Sequence, residues 1–117
     1  MSNWEIGPVD ASPTKTLDGW RVCLVPADGQ DRPWTGHLWG FVRETCRGRV
    51  SSALARLDPV NRRVLTRSGR VYKLAGESGF NTDALCAWGA WKQAQGIQLT
   101  DECDATDEVE AGLSRSV

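Results

Sequence analysis

Residues able to act as nucleophile, base or metal ligand are few and scattered along this chain. It holds one histidine, His37, and four cysteines, Cys23, Cys46, Cys86 and Cys103. Structural zinc sites usually draw their ligands in close pairs from a turn, and no CxxC pair occurs here. Buried free thiols are the simpler reading, with a zinc site assembled in space from His37 and three cysteines as the alternative. A hydrolase or transferase would need a nucleophile beside a base, two carboxylates in contrasting environments, or a metal. His37 stands in a Gly-His-Leu context on a strand-like segment, which suits a hydrogen-bonded structural histidine better than a general base. The phosphate-cradling patterns GxxxxGK and GxGxxG are absent as well. The sequence therefore predicts no catalytic residue, no metal and no cofactor, and leaves an enzyme built on His37 or a cysteine thiolate as a third reading.

Charge and aromatic side chains are the chemistry that remains. Residues 43–73 carry nine basic groups against Glu44 and Asp58, whereas the chain from Glu77 onward carries eight acidic groups against Lys92 and Arg115. Such asymmetry points to nucleic acid or to charged protein partners, against the plainer alternative of two solvated faces. Arg62, Arg63, Arg67 and Arg70 cluster around a turn, and with Tyr72 beside them they form a candidate platform for phosphates and bases. The overall balance of −1 and the pI near 5.8 argue against a dedicated nucleic-acid domain. Six carboxylates, Asp101, Glu102, Asp104, Asp107, Glu108 and Glu110, fall within ten residues. They would either lie over the arginines until a partner displaces them or compete for a basic surface on another protein. The chain has six tryptophans. Trp88 and Trp91 read as core; Trp34 and Trp39 flank a glycine-bent segment next to a polar loop, where an aromatic side chain can anchor a partner.

The elements that must position these groups are legible in outline. Trp20–Val25 and Trp34–Val42 read as strands, the second interrupted by Gly36 and Gly40, which mark a bend, a bulge or a close backbone approach. Three short segments follow, Val50–Leu57, Arg63–Arg67 and Arg70–Leu74. They are divided by type I turn chemistry at Asp58-Pro59-Val60-Asn61 and by Ser68-Gly69, where glycine tolerates positive φ. Phe80–Gly96 reads as a helix from about Thr82 to Gln95, capped by Asn81 and ended by Gly96, with Leu85, Trp88 and Trp91 docking on the sheet and Phe80 stapled to Leu85. The expected fold is α+β: a curved antiparallel sheet of four or five strands, or a small open barrel, with one packed helix. Residues 1–18 are expected as an N-terminal arm pinned by Trp4 and Ile6, 19–99 as a single domain, and 100–117 as an acidic tail. The opening MSNWEIGPVD lacks the basic end and apolar centre of a signal peptide, and no run approaches the roughly 18 apolar residues of a membrane span. A cytoplasmic protein without a membrane segment is the resulting expectation.

The runs Thr35-Gly36-His37-Leu38-Trp39-Gly40, Ser51-Ser52 leading to Leu57-Asp58, and Val64-Leu65-Thr66-Arg67-Ser68-Gly69-Arg70-Val71-Tyr72-Lys73-Leu74 carry a resemblance. They resemble a group of small uncharacterised proteins from phages, prophages and plasmids of Gram-negative bacteria, whose pattern is GHxxG followed by TxSGxxYxL. The segment after Gly40, FVRETCRGR, departs from the Pro- and Gly-containing stretch usual there. The resemblance implies a hypothesis class rather than residue roles: a non-enzymatic interaction protein from a mobile element, of the kind that inhibits a host defence complex such as a CRISPR effector. A host protein complex is then the expected partner, with a small nucleic-acid-binding β-domain using the arginine-rich hairpin as the alternative. Oligomeric state is not encoded in any pattern found.

Overall fold

A computed structural model describes residues 4–115, and side chains as far as 114. The outer ends of the expected arm and tail, residues 1–3 and 116–117, lie outside the described residues. In chain order the elements are β1 (Glu5–Ile6), β2 (Lys15–Val25), β3 (Thr35–Val42), β4 (Arg47–Asp58), β5 (Arg63–Thr66), β6 (Val71–Leu74), α1 (Thr82–Ala94), β7 (Cys103–Asp104) and α2 (Thr106–Arg115). This is an α+β fold built on a mixed sheet of seven strands, ordered β1-β4-β3-β2-β6-β5, with β7 paired to β2 and β4 also paired to β5. The sheet curls without being a closed barrel.

Two expectations are corrected here. The sheet has seven strands rather than four or five, and it is mixed, because β1 runs parallel to β4 and β6 parallel to β2. Among the described residues there are two helices, not one. The additions come from the segments expected as arm and tail, where two-residue strands and a ten-residue acidic helix carry too little periodic apolar pattern to be recognised. β2 also begins earlier than Trp20. Asp18-Gly19 resembles a turn, but Gly19 takes φ 55° at a bulge between Asp18 and Arg21 and the strand continues through it.

Alternation along β3 explains the two-sided core. Leu38 and Val42 face one apolar cluster with Trp4, Trp20, Leu57, Val64, Tyr72 and Leu74, while Trp39 faces a second with Cys23, Val25 and Trp88. Gly36 and Gly40 share the first face and are close approaches. A Cβ on Gly36 would stand 2.5 Å from the Trp4 ring, and one on Gly40 would stand 3.1 Å from the Trp20 backbone. Gly36 thus leaves a slot that the Trp4 ring fills, and Gly40 lets the β2 backbone at Asp18 and Trp20 approach closely. Trp4 holds the arm as expected, at 7 % exposure, whereas Ile6 is 63 % exposed and does not.

Helix α1 covers the second cluster. Asn81 caps it by accepting from the Ala84 N–H, and Gly96 ends it at φ 71°, with the N–H of Ile97 reaching back to the Lys92 carbonyl. Its docking face is Ala84, Trp88 and Trp91. Leu85, expected in that stripe, is half exposed, and Phe80 is stapled instead under the Arg21 guanidinium, 4.1 Å from the ring centroid. α2 buries Val109 and Leu113 in the first cluster.

Candidate functional site

Within the second cluster the titratable groups are consumed by structural contacts. Three indoles form a slipped stack, Trp39 on Trp88 at 5.6 Å and Trp88 on Trp91 at 5.4 Å, and the His37 ring closes it 4.7 Å from Trp91. Both His37 nitrogens are engaged, Nε2 with the Thr35 hydroxyl at 2.7 Å and Nδ1 with the Ser51 carbonyl at 2.9 Å. Only a donor can meet that carbonyl, so Nδ1 carries the proton and Nε2 accepts from Thr35. Burial pushes the His37 pKa down, which keeps the ring neutral. Cys23 accepts from Trp39 Nε1 and donates to Glu102, and burial followed by the Glu102 and Asp104 charges pushes its thiol up to about 12. Such a thiol is not a nucleophile near neutral pH. Cys46, Cys86 and Cys103 are exposed, and among the described residues no group of three or more His, Cys, Asp or Glu is placed to hold a metal.

The acidic segment is built into the fold instead of lying over the arginines. Glu102 accepts from Trp88 Nε1 at 3.1 Å and pairs with Lys92, whose ammonium also lies over the Trp88 ring. Asp104 pairs with Arg21 at 2.6 Å and accepts from the first amide of α2, and hydrogen bonds to Arg21 and Thr106 hold its carboxyl below the usual range against the opposing effect of burial. Asp101 accepts from Gln30, and Glu110 accepts from both the N–H and the hydroxyl of Ser78. Asp107 and Glu108 stand exposed in the first turn of α2. Among the described residues none of the six forms an ion pair with Arg62, Arg63, Arg67 or Arg70, although Glu110 and Arg62 line one shallow pocket.

The four arginines separate by role. Arg62 donates to the carbonyls of Leu74 and Gly76, and Arg63 to those of Val9 and Ala11, so both hold backbone together. Arg67, at the tip of the β5–β6 hairpin, is exposed and meets Asp28 at 3.3 Å across a cleft. Arg70, just before β6, forms no ion pair among the described residues. Trp39 is 2 % exposed under α1 and cannot anchor a partner as the sequence suggested; Trp34 is half-buried against the first cluster. Tyr72 is likewise buried, which removes it as a stacking platform for bases.

No family model, curated protein or solved structure matches this chain. Its own geometry therefore carries the functional argument. The parallel register sets Lys15 beside Tyr72 and Thr16 beside Lys73, and Arg49 Nε donates to the Tyr72 hydroxyl at 3.0 Å from the other side. The Arg43 N–H bonded to the Thr16 carbonyl brings the β3–β4 turn, and with it Arg47, to the same end of the sheet. Lys15, Arg47, Arg49, Arg70 and Lys73 lie towards this end of the sheet, Lys15 and Lys73 on opposite faces of the β2–β6 pair, and none takes part in the five ion pairs among the described residues. Glu44 lies near Lys15, and its carboxyl is held low by hydrogen bonding from the Thr16 amide with a smaller contribution from Lys15. Of this group only Arg70 belongs to the arginine cluster that the sequence pattern marks. A parallel contact between the first and last strands of the meander leaves no local signal. Among the described residues no helix is long and apolar enough to cross a membrane.

Proposed function

We propose that this protein is a non-enzymatic interaction protein whose basic surface around the start of β6 receives an acidic face of a partner protein. One observation carries the reading. Arg21, Arg43, Arg56, Arg67 and Lys92 each meet a carboxylate of this protein, whereas Lys15, Arg47, Arg49, Arg70 and Lys73, towards one end of the sheet, form no ion pair among the described residues. Unpaired charge concentrated at one place favours a partner of opposite sign and accelerates its encounter. The resemblance to mobile-element proteins extends the proposal to a host defence complex, such as a CRISPR effector, that is bound and inhibited. Use of His37 and Cys23 as structural, non-nucleophilic groups supports a binding role over a catalytic one.

The nucleic-acid reading is second. It is favoured by the guanidinium of Arg49 held against Tyr72 and weakened by the burial of the Tyr72 ring, which leaves phosphate contacts without base stacking. One experiment separates the two. The tagged protein is drawn through host lysate with and without nuclease, beside an Arg70→Glu/Lys73→Glu variant, and bound proteins are read by mass spectrometry. A stoichiometric partner that survives nuclease and is lost with the variant supports the proposal. Recovery that disappears on nuclease treatment transfers the surface to nucleic acid, and equal recovery by both proteins removes the surface from the function.

A further inference from the structure

β4 changes partners part-way along its length. It pairs with β3 from Arg47 to Ala53 and then with β5 from Leu54 to Asp58, and bulges interrupt both ladders at the changeover. Where β3 and β4 separate, a cleft of about 310 Å³ opens, lined by Asp28, Arg32, Thr35, Gly36, Leu54 and Arg67. That volume lies at the lower end of the range for small-molecule sites. We propose that this cleft is a binding site for a small organic anion, a carboxylate or phosphate monoester with a short apolar body, held between Arg32 and Arg67.

The charges in the cleft are disposed for such a ligand. Arg67 touches Asp28 through Nη1 alone, 3.3 Å from each carboxylate oxygen, in place of the paired short contacts of a fork-on-fork ion pair. Its remaining donors have no partner among the described residues, and with side-chain exposures of 60 % and 39 % the pair is worth little. Arg32 is exposed and has no ion pair among the described residues. Two guanidiniums against one carboxylate leave the cleft net positive, and two forks facing one gap match the several acceptor oxygens of a carboxylate or phosphate. The floor is different in kind. Leu54 and Gly36 are buried and apolar, and the Thr35 hydroxyl is already donated to His37. The floor accommodates a short apolar body, and the rim takes its charge. Asp28 acts as a resident competitor for Arg67, which a ligand anion displaces.

The test is a titration with phenyl phosphate and, separately, benzoate, followed by 15N NMR of the backbone amides and the arginine Nε–H groups. Saturable shifts at Thr35, Gly36, Arg32 Nε and Arg67 Nε are expected. Arg32→Gln/Arg67→Gln should weaken binding at least tenfold, whereas Asp28→Asn should tighten it several-fold. The gain is a result that a damaged fold does not produce. Lys73→Gln, on the basic surface around β6, should leave the titration unchanged, so the outcome is independent of the partner proposed above. Shifts that never saturate, shifts spread over Lys15, Arg47 and Arg49 instead of the cleft, or unchanged affinity in the double variant would overturn the proposal. If inorganic phosphate alone binds as tightly as phenyl phosphate, the apolar floor takes no part and the organic anion is wrong.

Discussion

Replacing Gly36 with alanine tests the central packing claim, that β3 is stripped of side chains to admit Trp4. The added Cβ would fall 2.5 and 2.9 Å from two ring carbons of Trp4, inside the distance any real Cβ tolerates, while Leu24 at 3.5 Å is in ordinary contact. Trp4 is 7 % exposed, so its ring has little room to retreat within the core. Overpacking of this kind costs about 1 to 3 kcal/mol. Expulsion of the ring sets an upper limit near that of deleting a buried tryptophan, about 3 to 5 kcal/mol. A loss of about 2 to 3 kcal/mol is expected for Gly36→Ala, read from urea denaturation by far-UV circular dichroism. Its cause is isolated by the double-mutant cycle with Trp4→Ala. Once the ring is gone the methyl has space, and reduced freedom of the unfolded chain makes Gly36→Ala neutral or stabilising by up to about 1 kcal/mol. The coupling energy should therefore be about 2 to 4 kcal/mol. Additivity within about 0.5 kcal/mol would refute the argument, because the cost of alanine would then arise from the strand and not from the tryptophan.

Three further outcomes follow from the same structure. Asp58 is buried and accepts from Val9 N, Val60 N, Asn61 N and Asn61 Nδ2, tying the N-terminal segment to the β4–β5 turn; Asp58→Ala should cost about 2 to 4 kcal/mol by urea denaturation, most of it from donors left unsatisfied. Stability should fall as pH drops below about 6.5, because unfolded His37 takes a proton that the folded, buried ring resists. A second decline should begin below about pH 4, where Asp58 takes a proton in the unfolded chain: burial opposes its ionisation, but the four donors outweigh that and hold its folded pKa low, so the stability it provides is lost with falling pH. His37→Gln should flatten the first decline and leave the second, as measured by thermal unfolding across pH 3.5 to 8. Removing residues 106–117 should destabilise the whole domain by several kcal/mol, through loss of buried Val109 and Leu113 at about 1.5 to 3 kcal/mol each, whereas a detachable tail would leave the melting curve unchanged.

Local chemistry was legible wherever one residue type decides one backbone state. The Asn81 cap, the Gly96 terminus, the Ser68-Gly69 turn and the Asp58 turn are all present, because capping and positive φ depend on near neighbours and little else. The alternation of β3 was visible, and so was the close approach at its glycines, although not that the Trp4 ring would fill the slot at Gly36. The register of α1 was misplaced onto Leu85, since Leu85 and Ala84 adjoin on the helix and only the shape of the sheet beneath selects the smaller one. The acidic segment misled for a related reason. Val109 and Leu113 are two apolar residues in a charged run, too sparse to announce a helix that docks, and their burial depends on the first cluster being already formed. The site lies furthest from the sequence. Clustering of arginines between Arg62 and Arg70 is a property of the chain, but two of them hold backbone carbonyls, one meets Asp28 in a loop that lies far off in sequence, and the unpaired cations around β6 come together through a parallel strand contact. Composition determined how much charge this protein carries and local pattern determined its turns and caps; which charges are neutralised and which are left to a partner was decided by strand register, because an ion pair depends on separation in space, which the order of residues along a chain does not specify.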